Sequence, residues 1–277
     1  MGAKENRILW LLVLPHLFLA GVSFGELASD KRLLFLFDKI EVRGEVDVFL
    51  RQGKRLRECT VYADKEIIET VQTRVTNRTL IIDANNTYDI GRRLPFLRID
   101  AKRVFPVEVI VSIRDLKEIA LLGAGNLSGS GIQAQHLKLF SASPGKLDLR
   151  QFSTESLEVI HDGSGEIVLK GGPLDEIDAT VNGSGTIHAG DLKVLKAKIS
   201  LQGRGNAYLS PLDFLDARLL QTGNVFLTRK PEQSAIQASG TGNVMDILPD
   251  AEPLYDLNAT HPKLDSNEIR KKRAANP

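Results

Sequence analysis

The stretch 161–192, HDGSGEIVLKGGPLDEIDATVNGSGTIHAGDL, contains the tripeptide Gly-Ser-Gly twice, at positions 163–165 and 183–185. Outward from this stretch, a glycine that ends a similar tripeptide recurs every 18–20 residues. The recurring glycines are Gly125, Gly145, Gly165, Gly185, Gly205, Gly223 and Gly242. One such tripeptide would be uninformative, but a nearly constant spacing over the whole series indicates an internal repeat.

Apolar residues alternate with polar ones on both sides of each recurring glycine. Around Gly165, for example, Leu157 and Val159 precede the glycine, and Ile167 and Leu169 follow it. An apolar residue at every second position is typical of a strand with one buried face. Each repeat therefore predicts two short strands, with the glycine at the corner between them.

A unit of two short strands cannot bury its apolar face alone, whereas stacked copies can. The sequence therefore predicts an all-β solenoid, a parallel β-helix with coils of about 20 residues. We expect glycine at the corners because it adopts positive φ at no steric cost, and because a Cβ atom would crowd the coils above and below. Several corners are followed by an asparagine, which tolerates left-handed backbone and can form hydrogen-bonded ladders. These asparagines are Asn126, Asn206, Asn224 and Asn243.

The region before the glycine series is rich in predicted strands but lacks the regular spacing. Alternation within 37–53 predicts two strands around Gly44, and the segments CTVYAD, TLIIDA and PVEVIVSI predict three more. Residues 67–75 fit a short helix or a strand, and 85–96 has the composition of a loop insertion. We expect residues 26–115 to form the first coils and the cap, since a bare end would leave strand edges unpaired. The regular coils are predicted to occupy 116–248.

The two ends of the sequence differ from the rest. Basic residues Lys4 and Arg7 precede the apolar run 8–20, and small residues lead to Gly25, which predicts a secretory signal peptide over residues 1–25. Residues 249–277 are rich in proline and charge, which predicts a disordered tail. The mature chain is therefore expected to be exported, to the periplasm, the cell surface or the medium, with no integral membrane span.

Composition excludes several classes of function. The formal net charge of +1 gives no general attraction to nucleic acid. Cys59 is the only cysteine, so no intramolecular disulfide can form, and we expect a packed side chain there rather than a nucleophile. His161 and His188 fall at different positions of the repeat, and no calcium-binding nonapeptide series or nucleotide-binding loop occurs. We therefore expect no cofactor, no metal and no catalytic residue.

One outward position of the repeat carries charge in successive coils. Seven residues before each corner glycine, between apolar neighbours, lie Lys138, Glu158, Asp178, Lys198 and Asp216. Stacking would place Glu158 and Asp178 about 5 Å apart between Cα atoms, a separation compatible with a retaining glycosidase. The alternative is a surface charge ladder, in which Lys138 and Lys198 offset the repulsion and each exposed pair contributes little, about 0–1 kcal/mol. We favour the ladder, and these four residues are the candidate ligand contacts.

The chain resembles the bacterial autotransporter adhesin head domain called the GIN domain, the DUF2807 family. The segments that carry the resemblance are FDKIEVRGEVDVFL, VEVIVSIRDLKEIALLGAGNLSGSG, GSGEIVL, GSGTIHAGDL and GTGNVMDI, within about residues 35–248. The resemblance implies a right-handed parallel β-helix located outside the cytoplasm. This sequence departs from the pattern at Ser143 with Pro144, at Thr222 and in the 85–96 insertion.

These observations favour an exported, non-enzymatic β-solenoid that acts as an adhesin-like binding or structural protein of the bacterial envelope. Its partner would be an envelope or extracellular protein or a glycan, and the solenoid ends could also join copies of the chain. The alternative is a polysaccharide-acting enzyme of β-helix architecture, either a glycoside hydrolase or a lyase. A purely structural or regulatory periplasmic role, without a ligand, is the third hypothesis.

Overall fold

The computed structural model describes residues 26–53, 58–84, 87–89, 102–104 and 106–247. The predicted signal peptide, the predicted tail and most of the 85–96 insertion lie outside these residues. The described strands are β1 (Leu27–Leu33), β2 (Lys39–Gly44), β3 (Asp47–Gln52), β4 (Glu58–Asp64), β5 (Gln72–Thr76), β6 (Thr79–Ala84), β7 (Thr87–Asp89), β8 (Lys102–Val104), β9 (Glu108–Ile113), β10 (Glu118–Leu121), β11 (Leu127–Ser130), β12 (His136–Ser141), β13 (Lys146–Phe152), β14 (Ser156–His161), β15 (Glu166–Gly171), β16 (Leu174–Val181), β17 (Thr186–Leu201), β18 (Asn206–Leu219), β19 (Val225–Leu227), β20 (Gln233–Ala238) and β21 (Val244–Asp246).

From β10 onward the strands alternate between two parallel ladders, and together they form a β-solenoid of about six turns. The first face contains β10, β12, β14, β16, the second halves of β17 and β18, and β20. The second face contains β11, β13, β15, the first halves of β17 and β18, β19 and β21. The prediction of stacked coils of about 20 residues is confirmed.

The alternating apolar residues fill the interior of the solenoid. On the first face Leu139 pairs with Val159, Val159 with Ala179 and Ala179 with Ile199, and all four are fully buried. On the second face Leu147, Ile167 and Ile187 form an equivalent buried column. These columns belong to one continuous core, which extends from Phe37 to Leu227. The period of two fixes which side chains point inward, because a one-residue slip would expose the whole set.

The corner glycines lie where successive coils approach most closely. A Cβ atom on Gly165 would come within 1.9 Å of the carbonyl oxygen of Gly145, and one on Gly242 within 1.9 Å of that of Gly223. The expected positive φ is wrong for these corners, since the described glycines with positive φ are Gly44 and Gly131. Glycine is therefore required at the corners for space. The expected left-handed asparagines are also wrong, because none of the four has positive φ.

Two replacements at the corners have different consequences. Ser143 is buried, and its hydroxyl donates to the carbonyl of Gly123 and accepts a hydrogen bond of 2.8 Å from the N–H of Gly145. Near the C-terminal end, the residue that takes the place of the first glycine of the tripeptide is Gln221 rather than Thr222. The equivalent glycine of the next coil, Gly240, lies directly against Gln221, since a Cβ on Gly240 would meet the carbonyl oxygen of Gln221. The Gln221 side chain points to solvent, where it causes no crowding.

In the N-terminal region, the order of the strands in the sheet differs from their order along the chain. β6 pairs with the outer edge of β2, and β9 pairs with the outer edge of β3, so two later segments lie outside the first coil. Antiparallel strands then extend both faces, with β5 beside β6, β4 beside β9 and β1 beside β4. Five strands predicted here are confirmed as β2, β3, β4, β6 and β9. The undecided segment 67–75 contains a 3-10 turn, Ile68–Thr70, followed by β5, and the insertion contains β7, which pairs with β8.

A small group of polar side chains interrupts the apolar core near the first-face corner. Ser141 and His161 are register partners, and both are fully buried in a column that continues with Val181 and Leu201. The two ring nitrogens of His161 face backbone carbonyls, Nε2 at 2.9 Å from Gly165 and Nδ1 at 3.3 Å from Ser141. Within the described residues the Ser141 hydroxyl has no hydrogen-bond partner.

Replacing Ser141 and replacing Ser143 by alanine should change the free energy of unfolding in opposite directions. Ser141→Ala removes a buried hydroxyl that makes no hydrogen bond, so we expect the free energy of unfolding to rise by about 1 kcal/mol. Ser143→Ala removes a hydroxyl that bridges two coils, so we expect a loss of about 1–2 kcal/mol. Chemical denaturation of both variants measures the two changes. Equal losses would contradict the assignment of the unpaired hydroxyl to Ser141.

Candidate functional site

A continuous row of charged side chains runs along the outside of the first face. It connects Lys39 in β2 with Glu118, and it continues in register through the five positions predicted from the repeat. We call these residues the charge ladder: Lys39, Glu118, Lys138, Glu158, Asp178, Lys198 and Asp216. Because each coil contributes one residue, the spacing between neighbouring charges is the spacing between parallel strands, about 4.8 Å.

The charge ladder is divided into ion pairs between adjacent coils. The Lys138 ammonium contacts the Glu158 carboxylate at 2.8 Å, and the Lys198 ammonium contacts the Asp178 carboxylate at 2.6 Å. The hydrogen bond to Asp178 raises the pKa of Lys198. Glu158 and Asp178 are therefore neighbours in register, but each is bonded to the lysine of the coil on the other side, Glu158 to Lys138 and Asp178 to Lys198. All four side chains are 40–49% exposed.

A catalytic pair of carboxylates flanks the glycosidic bond inside a cleft that binds the sugar and controls the access of water. Glu158 and Asp178 instead stand half-exposed on the outside of the sheet, with Glu158 at the border of a shallow groove, and each carboxylate is bonded to an ammonium group. The geometry therefore suits a surface that contacts a partner through paired charges.

Two shallow grooves lie beside the charge ladder, near the beginnings of the first-face strands. The first groove, about 610 Å³, contains Lys138 and Glu158, and the second, about 580 Å³, contains Lys198. The sequence candidates are therefore separated into two sites. The first groove is lined by Asp115, Leu116, Lys117, Gln133, Ala134, Gln135, His136, Leu137, Lys138, Ser156 and Glu158. The second is lined by Glu176, Lys196, Ala197, Lys198, Asp213, Phe214, Asp216, Glu232 and Gln233.

The first groove contains a mixture of donors and acceptors. His136 Nδ1 lies 2.6 Å from the hydroxyl of Ser156 in the next coil, beside the Lys138–Glu158 pair. The amides of Gln133 and Gln135 line the same groove. The second groove has four carboxylates and two ammonium groups, so its charge is more negative. The first groove therefore offers the more balanced set of hydrogen-bonding groups to a neutral polar ligand.

The second face carries a stack of aromatic rings that the repeat analysis missed. The ring centroids of His188 and Tyr208 are 5.1 Å apart, and those of Tyr208 and Phe226 are 4.7 Å apart. Burial lowers the pKa of His188, which favours the neutral imidazole. Because the ring faces pack on one another, the stack holds coils together. All three residues lie three positions after a corner glycine, a signal that the sequence contains.

Asparagines form the predicted ladder beside this stack. The side-chain oxygen of Asn206 accepts a hydrogen bond of 3.0 Å from the backbone N–H of Asn224, and Asn224 accepts one of 2.9 Å from Asn243. Asn126 does the same for Lys146. The ladders therefore stabilise the stacking of coils, and their amide oxygens are occupied.

The Cys59 thiol and the possible metal ligands do not form a reactive site in the described part of the chain. Cys59 is buried, and burial raises the pKa of its thiol. In the part of the chain that the structure describes, no three His, Cys, Asp or Glu side chains approach closely enough to hold a metal ion. A helix long and apolar enough to cross a membrane is likewise not found among residues 26–53, 58–84, 87–89, 102–104 and 106–247.

Three solved structures share this fold at low sequence identity. A "putative adhesin" from Bacteroides fragilis is 20% identical with a TM-score of 0.69, and the match covers 80% of this chain and 97% of that one. A "putative adhesin" from Parabacteroides distasonis is 21% identical with a TM-score of 0.59, covering 81% and 98%. A "putative lipid binding protein" from the same species is 19% identical with a TM-score of 0.61, again covering 81% and 98%. At these identities the likeness shows the fold.

A comparison with curated proteins gives no match. The model of the family described as "Putative auto-transporter adhesin, head GIN domain" matches residues 36–231, which is more than two thirds of the chain. The matched range extends from just before β2 to the turn before β20 and so includes the charge ladder, the first groove and most of the second groove. On this match and on the solenoid geometry, the chain belongs to the DUF2807 family.

Proposed function

We propose that this protein is an exported, non-enzymatic β-solenoid that binds a glycan or protein of the bacterial cell envelope in the manner of an adhesin. The observation that carries the proposal is the open first face, on which two lysine–carboxylate pairs stand half-exposed in successive coils. Membership of a family described as adhesin heads supports the same class of function. The proposed contact residues are Lys138 and Glu158; Asp178 and Lys198, the other two candidates from the sequence, form the second ion pair on the same face.

Within this surface the first groove is the better candidate for the binding site. Its side chains offer ammonium and amide donors together with carboxylate and hydroxyl acceptors, which matches the hydroxyl groups of a glycan. Successive coils place polar groups along the groove at a spacing of about 4.8 Å, which suits an extended ligand with a regular spacing of its own. A neutral or weakly charged polysaccharide is therefore the ligand class we propose.

Two assays distinguish binding from catalysis. Protein beginning at Glu26 is applied to a glycan array, and the glycans that bind are then incubated with it while reducing sugar is measured. Binding without release supports the proposal. Release that disappears in a Glu158→Gln/Asp178→Asn variant would establish the polysaccharide-cleaving alternative. If neither assay responds and envelope extracts yield a captured protein, a protein partner is supported instead. Cell fractionation tests the proposed export.

Alanine at both members of the Lys138–Glu158 pair should weaken glycan binding about tenfold or more, because hydrogen bonds to charged groups contribute about 1.5–3 kcal/mol each. The matched control is the double alanine variant of Asp178 and Lys198, which removes an ion pair of similar exposure outside the first groove. We expect the control to bind within about twofold of the parent protein, because no contact of the first groove is lost. Equal losses in both variants would contradict the choice of groove.

A further inference from the structure

We propose that the C-terminal end of the solenoid binds a second copy of this chain, to give a twofold dimer joined end to end through β20. One edge of β20 pairs with β18. Among the residues that the structure describes, no strand pairs with the other edge of β20. All six residues of this strand are exposed, whereas β18 and β16 alternate between buried and exposed positions. Within the described part of the chain, the last coil therefore presents a row of backbone groups that pair with no other strand.

Among residues 106–247, no further layer covers the apolar core at this end. Leu215, Ala217 and Leu219 in β18 are fully buried, and their register partners in β20 are Ser234, Ile236 and Ala238. These partners occupy the inward position of the coil, yet Ile236 is 49% exposed. An inward apolar side chain at an open end is stabilised when another layer covers it.

Charge distinguishes this end from the opposite one. The outer strands at the N-terminal end contain charged residues, with Asp30, Lys31 and Arg32 in β1 and Arg74 in β5. Charges on an edge strand oppose pairing with another chain, and β20, with the sequence QSAIQA, has none. In a twofold interface each residue near the axis meets its own copy, so a charge there would be repelled. β20 is therefore the described edge that is suited to self-pairing.

Antiparallel pairing of β20 with its copy keeps opposed side chains on the same face of the joint sheet. The Ile236 side chains of the two copies would then meet near the axis, and the apolar core would continue from one solenoid into the other. Asp246 in β21 works against this arrangement, because it occupies the inward position below buried Leu227. Its carboxylate would limit the strength of the dimer.

Sedimentation equilibrium of protein beginning at Glu26 tests the proposal, with a dimer expected at micromolar concentration. Ile236→Lys should weaken dimerisation at least about tenfold, since it places like charges at the axis. Asp246→Asn should strengthen it. The matched control is Leu122→Lys, because Leu122 is 38% exposed but lies on a corner of the body. A monomeric parent protein, or equal weakening by Ile236→Lys and Leu122→Lys, would overturn the proposal.

A cross-link tests the geometry separately. A single cysteine in place of Ile236 should form a disulfide between copies under mild oxidation, because a residue near a twofold axis faces its own copy. The native Cys59 is buried and should not interfere. Leu122→Cys is the control and should remain a reduced monomer on a denaturing gel. Failure of the Ile236 variant to cross-link would contradict pairing through β20.

Residues 248–277 are the alternative occupant of this end. Their sequence contains Pro249, Pro253 and Pro262, and proline cannot donate a hydrogen bond to a strand edge, which disfavours this alternative. Protein ending at Ile247 separates the two possibilities. An unchanged dimer supports self-association. A dimer that appears only after the truncation would show that this segment, rather than a second copy, covers β20.

Discussion

Gly165→Ala should destabilise the solenoid by about 4 kcal/mol or more, which is at the upper end of single substitutions. The new Cβ would lie 1.9 Å from the carbonyl oxygen of Gly145 and 2.8 Å from two backbone atoms of Pro144. These atoms belong to the preceding coil and cannot rotate away as a side chain can. Relief requires the two coils to separate, which breaks the bonds from the Gly165 N–H to Ser143 and from the Glu166 N–H to Gly145.

Two further glycines provide the controls for this prediction. At Gly172 the nearest atom to an added Cβ is the Phe152 carbonyl oxygen at 3.9 Å, so Gly172→Ala should be neutral or stabilising by up to about 1 kcal/mol. Gly242→Ala meets a carbonyl at 1.9 Å but lies in the last coil. We expect an intermediate loss there, because only one neighbouring coil must shift. Chemical denaturation, with soluble yield for a variant that fails to fold, would rank the three; equal effects would contradict the steric argument.

Asp38→Ala should lower the free energy of unfolding by about 2–3 kcal/mol, because hydrogen bonds to charged groups are among the strongest in proteins. The Asp38 side chain is 4% exposed and accepts from Arg78 at 2.9 Å and from Lys117 at 3.3 Å. Its backbone also bonds to both residues. Asp38 therefore connects the β5–β6 hairpin, the first coil and the start of β10. Arg78 and Lys117 are more than half exposed and can rehydrate, which limits the loss.

This contribution should depend on pH in the acid range. Burial raises the pKa of Asp38, but the hydrogen bonds and charges of Arg78 and Lys117 lower it by more, so that the pKa lies below its usual value of 3.8. A carboxyl whose pKa falls on folding stabilises the protein fully above its unfolded pKa, about 4, and loses that contribution as the pH drops through the folded pKa.

Urea denaturation at pH 7 and at successively lower pH should therefore show the difference between the parent protein and Asp38→Ala shrinking below about pH 4. Asp115→Ala is the matched control, since its carboxylate pairs with Arg114 but both side chains are more than half exposed. We expect about 0–1 kcal/mol there, with little pH dependence. A loss at Asp38 no larger than at Asp115 would show that burial adds nothing to the pairing.

The arrangement of the regular coils could be predicted from the sequence because it is local and repeated. Alternation around Gly165 fixes the inward side chains, and the constant spacing fixes which residues of successive coils become neighbours. The sequence alone therefore places Lys138, Glu158, Asp178 and Lys198 in one outward row. The reason for glycine at the corners was only half predicted, because close approach of backbones depends on how tightly the coils stack.

Which lysine binds which carboxylate could not be predicted from that row. Lys138 lies between Glu118 and Glu158 in the row, and Lys198 lies between Asp178 and Asp216, so each lysine has two possible partners. Each binds a carboxylate of the central pair, which offsets the repulsion between Glu158 and Asp178. The grooves likewise form where side chains of several coils leave a gap beside the ladder. Both features depend on side-chain packing across coils, which a periodic pattern does not specify.

The sequence by itself therefore determined the coil, its inward columns and its charge ladder, because these follow from a repeat of period two within a period of about 20. Only the tertiary structure decided that β6 and β9 lie outside the first coil, that Asp38 is bonded to Arg78 and Lys117, and that the outer edge of β20 pairs with no described strand. The physical reason is that these features depend on single contacts between segments far apart in the chain. Such contacts occur once and leave no repeated signal in the sequence.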